Sequence, residues 1–464
     1  MNLFKCRVIL TGLLLALAIA VPVPAQIIKD ADDGTTLKQV IIFGRHGIRS
    51  STVDTSTLAT FTTDPYPYPA FVGVPTGYLT PHGREAARIL GSYFHDYLLH
   101  EGLLTGCAPA DLSCSYFRAN SIQRSNITAA MFGAGLIPGA AIPVHSYEIA
   151  DPDTGTPAEP DPVFDPIAAH VATVDPGRAE TEVQGVFGSG AALASAYSGE
   201  LSLVRSVLTP PGPVDPTSQT SNPFTLIAYT PVTNAGGSIN VGGLNVTNAA
   251  IDPFVMQYAD NFTLENVAWG RLSPDTLSQL TRLITLQINI EMQQPYVNQV
   301  QSSNAASHVL RSMRQAIWGW SLPGAFGNGK SRVLVIISSD YYVAGLAGLL
   351  RLHWELPGYQ PDFCAPGGAL VFELRQSKKT KKYLVRAFYT AQTFDQLRNL
   401  TPLTLEKPPA TMQLAIPGGS NSDTDVDVKF ATFKKLLSEA IGQQYVQPFW
   451  EEVPPDVLDN VPLD

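Results

Sequence analysis

Charge is scarce in this chain: Asp, Glu, Lys and Arg make up 15% of 464 residues. With 45% hydrophobic content, that composition excludes a disordered polyelectrolyte and gives ample apolar surface for a large core. Positive charge is the scarcer sign, 30 Lys and Arg against 40 Asp and Glu, for a formal net charge of −10. No global basic field exists to recruit nucleic acid or an anionic membrane, so any anion site must be a local cluster. Beyond the N-terminal segment no apolar run approaches a membrane span. Cysteine is also rare, at four residues. Cys6 lies in the N-terminal segment, and Cys107 and Cys114 are expected to pair if the chain reaches an oxidising compartment. Cys364 is then left as a buried thiol, with no histidine signature near it. There is no internal repeat.

Residues 1–25 read as a secretory signal. Lys5 and Arg7 form a positive start, Val8 to Ala20 a short apolar core, and Val23-Pro24-Ala25 a small-residue cleavage site. The core is too short to favour the alternative, an uncleaved anchor. The implied address is periplasmic or secreted, with no membrane contact after cleavage.

The richest stretch is Val40-Ile41-Ile42-Phe43-Gly44-Arg45-His46-Gly47-Ile48-Arg49. Its apolar run predicts a buried strand of a parallel sheet. The residues after it would lie at the strand's carboxyl end, where open α/β sheets place ligands. Two guanidiniums there would be costly without an anion, and phosphate is their natural bidentate partner. A histidine held between them can accept a phosphoryl group. Taken alone, the segment is equally compatible with a charged surface turn.

Residues 50–79 read as a long, functional loop. Thr80-Pro81 then starts a helix running toward Gly102, on or beside which His82, His95 and His100 are surface or packed residues. Tyr116 to Ala119 reads as a short strand and Ser121 to Leu136 as a helix, with Arg124 in its first turn, where backbone N–H groups favour anions, although taken alone Arg124 reads as a solvated surface residue. The middle region carries mainly helical signals, including Ser273-Pro274 to Met292 and Ser303 to Trp318. Val333 to Ile337 is a second buried strand, followed by Ser338-Ser339-Asp340 and a helix over 341–350. Residues 369–374 and 383–389 form a hairpin.

These pieces together resemble the histidine acid phosphatases, the branch of the histidine phosphatase superfamily that includes bacterial phytases and glucose-1-phosphatase. Arg45-His46-Gly47-Ile48-Arg49 is similar to the family signature, and Leu79-Thr80-Pro81-His82-Gly83 to its next block. Gln123-Arg124-Ser125, followed by Gly135-Leu136-Ile137-Pro138, resembles the block carrying a third phosphate-binding arginine. Asp161 to Pro166, Val267 to Gly270, Trp354 to Gly358 and Pro366 to Phe372 match further landmarks in order. One departure stands out: the family's late His-Asp pair is here Ser339-Asp340.

The resemblance implies an α/β fold with a central mixed sheet flanked by helices, built from 27–150 plus 293–464, and an inserted, mainly helical second domain over 151–292. It implies a phosphomonoester hydrolase, of the phytate or sugar phosphate class, working through a phosphohistidine. His46 is then the nucleophile and Asp340 the general acid. Arg45, Arg49, Arg124 and Ser339 hold phosphate. No metal or other cofactor is called for, because the arginines supply the charge. Losing one charge-assisted hydrogen bond at Ser339 costs about 1.5–3 kcal/mol, or roughly ten- to a hundredfold in rate. The alternative is a catalytically degenerate phosphate-ester binding protein of the same fold. A monomer is expected. A mutase-like role fits an exported chain less well. Gly188-Ser189-Gly190 lacks nucleophile-elbow spacing. Asp423, Asp425 and Asp427 lack the glycine and glutamate of a calcium loop and read as a solvated turn. The scarcity of Lys and Arg over 151–325 leans toward substrates less charged than phytate.

Overall fold

The computed structural model describes residues 33–64, 66–147, 149–151, 156–157, 160–209, 223–230, 240–422 and 425–448. The signal segment 1–25 and Asp423 lie outside the described residues.

Four of the described strands form two separate two-stranded pairs, and eight others build one mixed sheet. Its order is Ala410–Leu414, Tyr383–Ala391, Ala369–Ser377, Thr35–Arg45, Val333–Ser338, Ser115–Ala119, Val144–His145, with Val428–Lys429 beside Tyr383–Ala391. Thr35–Arg45, Val333–Ser338, Ser115–Ala119 and Val144–His145 run parallel. The remaining strands add antiparallel to the other side of Thr35–Arg45. The Val40 to Phe43 run is therefore central and apolar on both faces, as a covered parallel strand requires. Its alternation sorts side chains to opposite faces. Ile41, Phe43, Leu334 and Ile336 join one core, and Val40, Ile42, Val335 and Ile337 the other.

Helices Pro81–His100 and Gln123–Leu136 cover the second face with Leu90, Phe94, Phe132 and Leu136. Helices Pro295–Trp318, Asp340–Leu349 and Phe430–Ala440 cover the first. That core continues without a break into Leu201, Val204, Phe254, Leu280 and Leu283 of the middle region. The middle region is mainly helical, with Pro176–Phe187, Gly190–Ala196, Ser198–Leu208, Gly242–Ala259 and Pro274–Met292. We propose 151–292 as the inserted unit, ending where Gln293 caps the last of these helices.

Local signals account for most boundaries. Thr80 caps its helix by accepting from the Gly83 N–H, with proline at the first turn. Ser273 and Thr276 form a reciprocal capping box. The helix expected from Ser303 starts instead at Pro295, because Gln294-Pro295 supplies an N1 proline eight residues earlier in the chain. The 50–79 loop contains a short helix, Thr55–Ala59, capped by Asp54.

The expected Cys107–Cys114 disulfide is absent; both are free thiols. They cap opposite ends of the helix Ala108–Ser113. At 1.5 Å per residue their Cα atoms are about 10 Å apart, beyond the roughly 7 Å a disulfide can bridge. Cys364 is buried, as expected. Ser189 is a helix cap that accepts from the Ala192 N–H. Asp427 pairs with Arg386, and Asp425 accepts from Asn421 within its turn.

Candidate active site

Three parallel strands deliver the candidate residues from their carboxyl ends. Arg45 ends one strand directly opposite Ser338 in the register, and Ala119 lies opposite Ile337. The next residues along each chain segment, His46, Ser339-Asp340 and the turn into Arg124, therefore meet at one edge. The backbone fixes this convergence: the His46 N–H donates to the Ser338 carbonyl at 2.8 Å, and Gly367 N–H donates to the His46 carbonyl at 3.0 Å.

The turn after His46 is held from below. Gly47 N–H donates to the Thr128 hydroxyl at 3.0 Å, which in turn donates to the Arg124 carbonyl at 2.6 Å. Arg49 bridges to Leu79, whose N–H donates to the Gln123 side chain at 3.0 Å. A Cβ on Gly83 would sit 2.3 Å from the Ile48 carbonyl oxygen, so only glycine lets the helix approach this turn. The three sequence blocks are thus parts of one scaffold.

Arg45, His46 and Arg49 are buried, whereas Arg124, Ser339 and Asp340 are partly exposed. Arg45 Nη2 lies 3.0 Å from Asp340 Oδ2, while its Nη1 donates to the Cys364 carbonyl at 2.6 Å. Arg124 Nη1 donates to the Gly77 carbonyl at 3.3 Å. The Nε atoms of Arg45, Arg49 and Arg124 are all buried with no partner among the described residues. Three buried donors at one place are a costly arrangement unless an anion is their purpose. Ser339 precedes the helix Asp340–Leu349 and its side chain makes no capping bond.

His46 is the centre of this charge. Burial, then the positive charges of Arg124, Arg45 and Arg49, hold its pKa well below that of an ordinary histidine. Its Nδ1 lies 2.9 Å from the Gly47 carbonyl oxygen, which can only accept. The proton is thereby assigned to Nδ1, leaving the Nε2 lone pair free. Burial and the neighbouring Arg49 also bring Arg124 down to about 10.

One residue here was not foreseen from the sequence. Asp252, on the helix Gly242–Ala259, holds Arg49 bidentately at 2.8 and 3.2 Å. Its signal was a lone charge inside Ala249-Ala250-Ile251-Asp252-Pro253-Phe254-Val255, an apolar run otherwise destined for the core. The helix is brought over the site by the 50–79 loop. Gln257 donates to the Pro69 carbonyl at 2.8 Å, Trp269 to the Pro67 carbonyl at 3.2 Å, and Tyr68 stacks on Phe254. If Arg49 holds phosphate, Asp252 competes for it, and Asp252→Asn is expected to tighten competitive inhibition by inorganic phosphate several-fold. Inhibition constants measured at fixed pH and salt check this; weaker inhibition would mean that Asp252 orients Arg49 rather than competing for it.

A profile of the histidine phosphatase superfamily (branch 2) matches residues 36–182 of this chain. It is similar to the phytase AppA of Escherichia coli (strain K12), 26% identical over 440 residues that cover 91% of this chain and 96% of the relative. Similarity to a glucose-1-phosphatase of Providencia rettgeri is also 26%, over 93% of this chain and 98% of the relative. In three dimensions it resembles the Hafnia alvei phytase solved with tartrate, at a TM-score of 0.78 and 27% identity, covering 90% of this chain and all of that one. Among the described residues no helix is long and apolar enough to cross a membrane.

Proposed function

We propose that this protein is an acid phosphatase that hydrolyses phosphomonoesters through a phosphohistidine, as a monomer in the periplasm or outside the cell. The observation that carries it is a buried imidazole, its Nδ1 against a carbonyl and its pKa held low by burial and by three guanidiniums, two buried and one partly exposed, with a carboxyl group paired to one of them. His46 Nε2 attacks phosphorus as the bond to the ester oxygen breaks, and Asp340 gives that oxygen its proton. Water then attacks the phosphohistidine, its proton passing to Asp340, and inorganic phosphate leaves. Arg45, Arg49 and Arg124 balance the charge on the equatorial oxygens.

Phytate and sugar phosphates are the substrate classes suggested by the names of the relatives, a phytase and a glucose-1-phosphatase. Those names favour catalysis over a degenerate binding role. The test is a panel of phosphate esters with wild type and Ser339→His. Restoring a charged donor to phosphate is expected to raise kcat about ten- to a hundredfold, the inverse of losing one charge-assisted hydrogen bond. No turnover of any ester by wild type, together with measurable phosphate binding, would leave only the binding protein.

A further inference from the structure

Two tyrosines follow the proposed acid directly, Tyr341 and Tyr342 in the first turn of the helix Asp340–Leu349. Both are partly buried, and each phenol is tied at its far end to a different wall. Resting on the phosphatase reading above, we propose that Tyr341 and Tyr342 form the leaving-group subsite, and that it takes phosphomonoesters whose alcohol part carries a planar ring.

Position comes first. A general acid must touch the ester oxygen, so the departing group lies within a residue or two of Asp340. Tyr341 and Tyr342 are its covalent neighbours. The Tyr341 phenol accepts from Gln287 Nε2 at 3.0 Å, and the same amide nitrogen donates to Glu291 Oε1 at 3.0 Å. Gln287 Oε1 accepts from Asn248 at 2.5 Å, so helices Gly242–Ala259 and Pro274–Met292 are both fastened to this ring. Glu291 is only 3% exposed, and burial lifts its carboxyl to about 7, making it an uncharged partner in acid. Through Gln287 and Asn248 the Tyr341 phenol is tied to the helix Gly242–Ala259, which carries Asp252. Tyr342 goes the other way. Its phenol donates to Asp165 at 2.6 Å and its ring packs 5.2 Å from Phe164.

Each ring is thus held at both ends, by the backbone and by its hydroxyl. Tyrosine offers a rigid apolar surface at the entropy cost of two torsions, and anchoring removes even that on binding. Such surfaces prefer flat partners, through stacked or edge contacts.

Charge argues against a leaving group that carries more phosphates. No lysine occurs between 151 and 325. Five of the six arginines there are committed elsewhere: Arg271 to Asp64, Arg282 to Glu200, Arg311 to the Pro323 carbonyl, Arg178 over the Tyr296 ring at 3.9 Å and Arg314 over the Trp318 ring. A second phosphate beside the tyrosines would approach Asp165, which accepts from Tyr342, and Asp252, which already holds Arg49.

The decisive pair is benzyl phosphate and cyclohexylmethyl phosphate, whose alcohols have similar acidity and size but differ in planarity. Wild type is expected to favour the benzyl ester about tenfold in kcat/KM. In Tyr341→Leu/Tyr342→Leu the preference should vanish, and in Tyr341→Phe/Tyr342→Phe much of it should return. Adenosine monophosphate and a phosphotyrosine peptide, assayed alongside, distinguish a nucleobase from a phenol as the ring. Equal rates for the two esters with wild type overturn the proposal even if the leucine variant fails to fold, as does a preference unchanged in a folded leucine variant. If wild type turns over no ester at all, the phosphatase reading fails instead.

Discussion

Replacing His46 by alanine is expected to lower kcat for every phosphate ester by about four to six orders of magnitude, the usual cost of deleting a covalent nucleophile. Arg45, Arg49 and Arg124 remain, so phosphate should still bind; thermal protection by inorganic phosphate provides that control. The companion observation is the pH profile of wild type. Attack needs the neutral imidazole, and burial with three nearby guanidiniums disfavours the protonated one. The sign is therefore fixed: a lowered pKa keeps the nucleophile competent as pH falls below about 6.5, the ordinary histidine value. The acid limb of kcat/KM should lie well below that value. A variant that retains more than a hundredth of wild-type turnover, or an acid limb at the ordinary histidine value, would remove His46 from the chemistry.

Asp340→Asn is the second large effect, an expected loss of about 10²- to 10⁴-fold for alkyl esters, whose alkoxides leave poorly without a proton. Aryl esters with acidic phenols should lose far less, because they need little help to depart. That contrast separates an acid from a mere partner of Arg45, since the asparagine also weakens the 3.0 Å ion pair. If alkyl and aryl esters fall equally, the carboxyl acts through Arg45 and not on the leaving oxygen.

Much of this site was legible in the sequence because each element announces itself locally. The apolar runs ending at Arg45 and Ser338 are covered parallel strands with both faces buried, and such strands carry no polar alternation to blur them. Thr80-Pro81 and Ser273-Pro274 mark helix starts through capping chemistry that acts within one turn. What could not be read was contact across the fold. Asp252 reaches Arg49 only because the 66–71 stretch is pinned to the helix Gly242–Ala259, and nothing in the spacing of 49 and 252 encodes that. The phenol anchors of Tyr341 and Tyr342 likewise depend on Glu291, Gln287 and Asp165 from distant segments. The cysteines show the opposite error. Proximity in sequence suggested a bond, yet the short helix between Cys107 and Cys114 holds them apart.

His46 is seated on the carbonyl of Ser338, so the first functional residue of the chain waits for one of the last. Loop closure of that span is slow and nothing rewards it until the strands pair. A nascent or truncated polypeptide that stops short of residue 340 carries His46 and all three arginines but lacks Asp340. Activity therefore reports completed synthesis and long-range assembly.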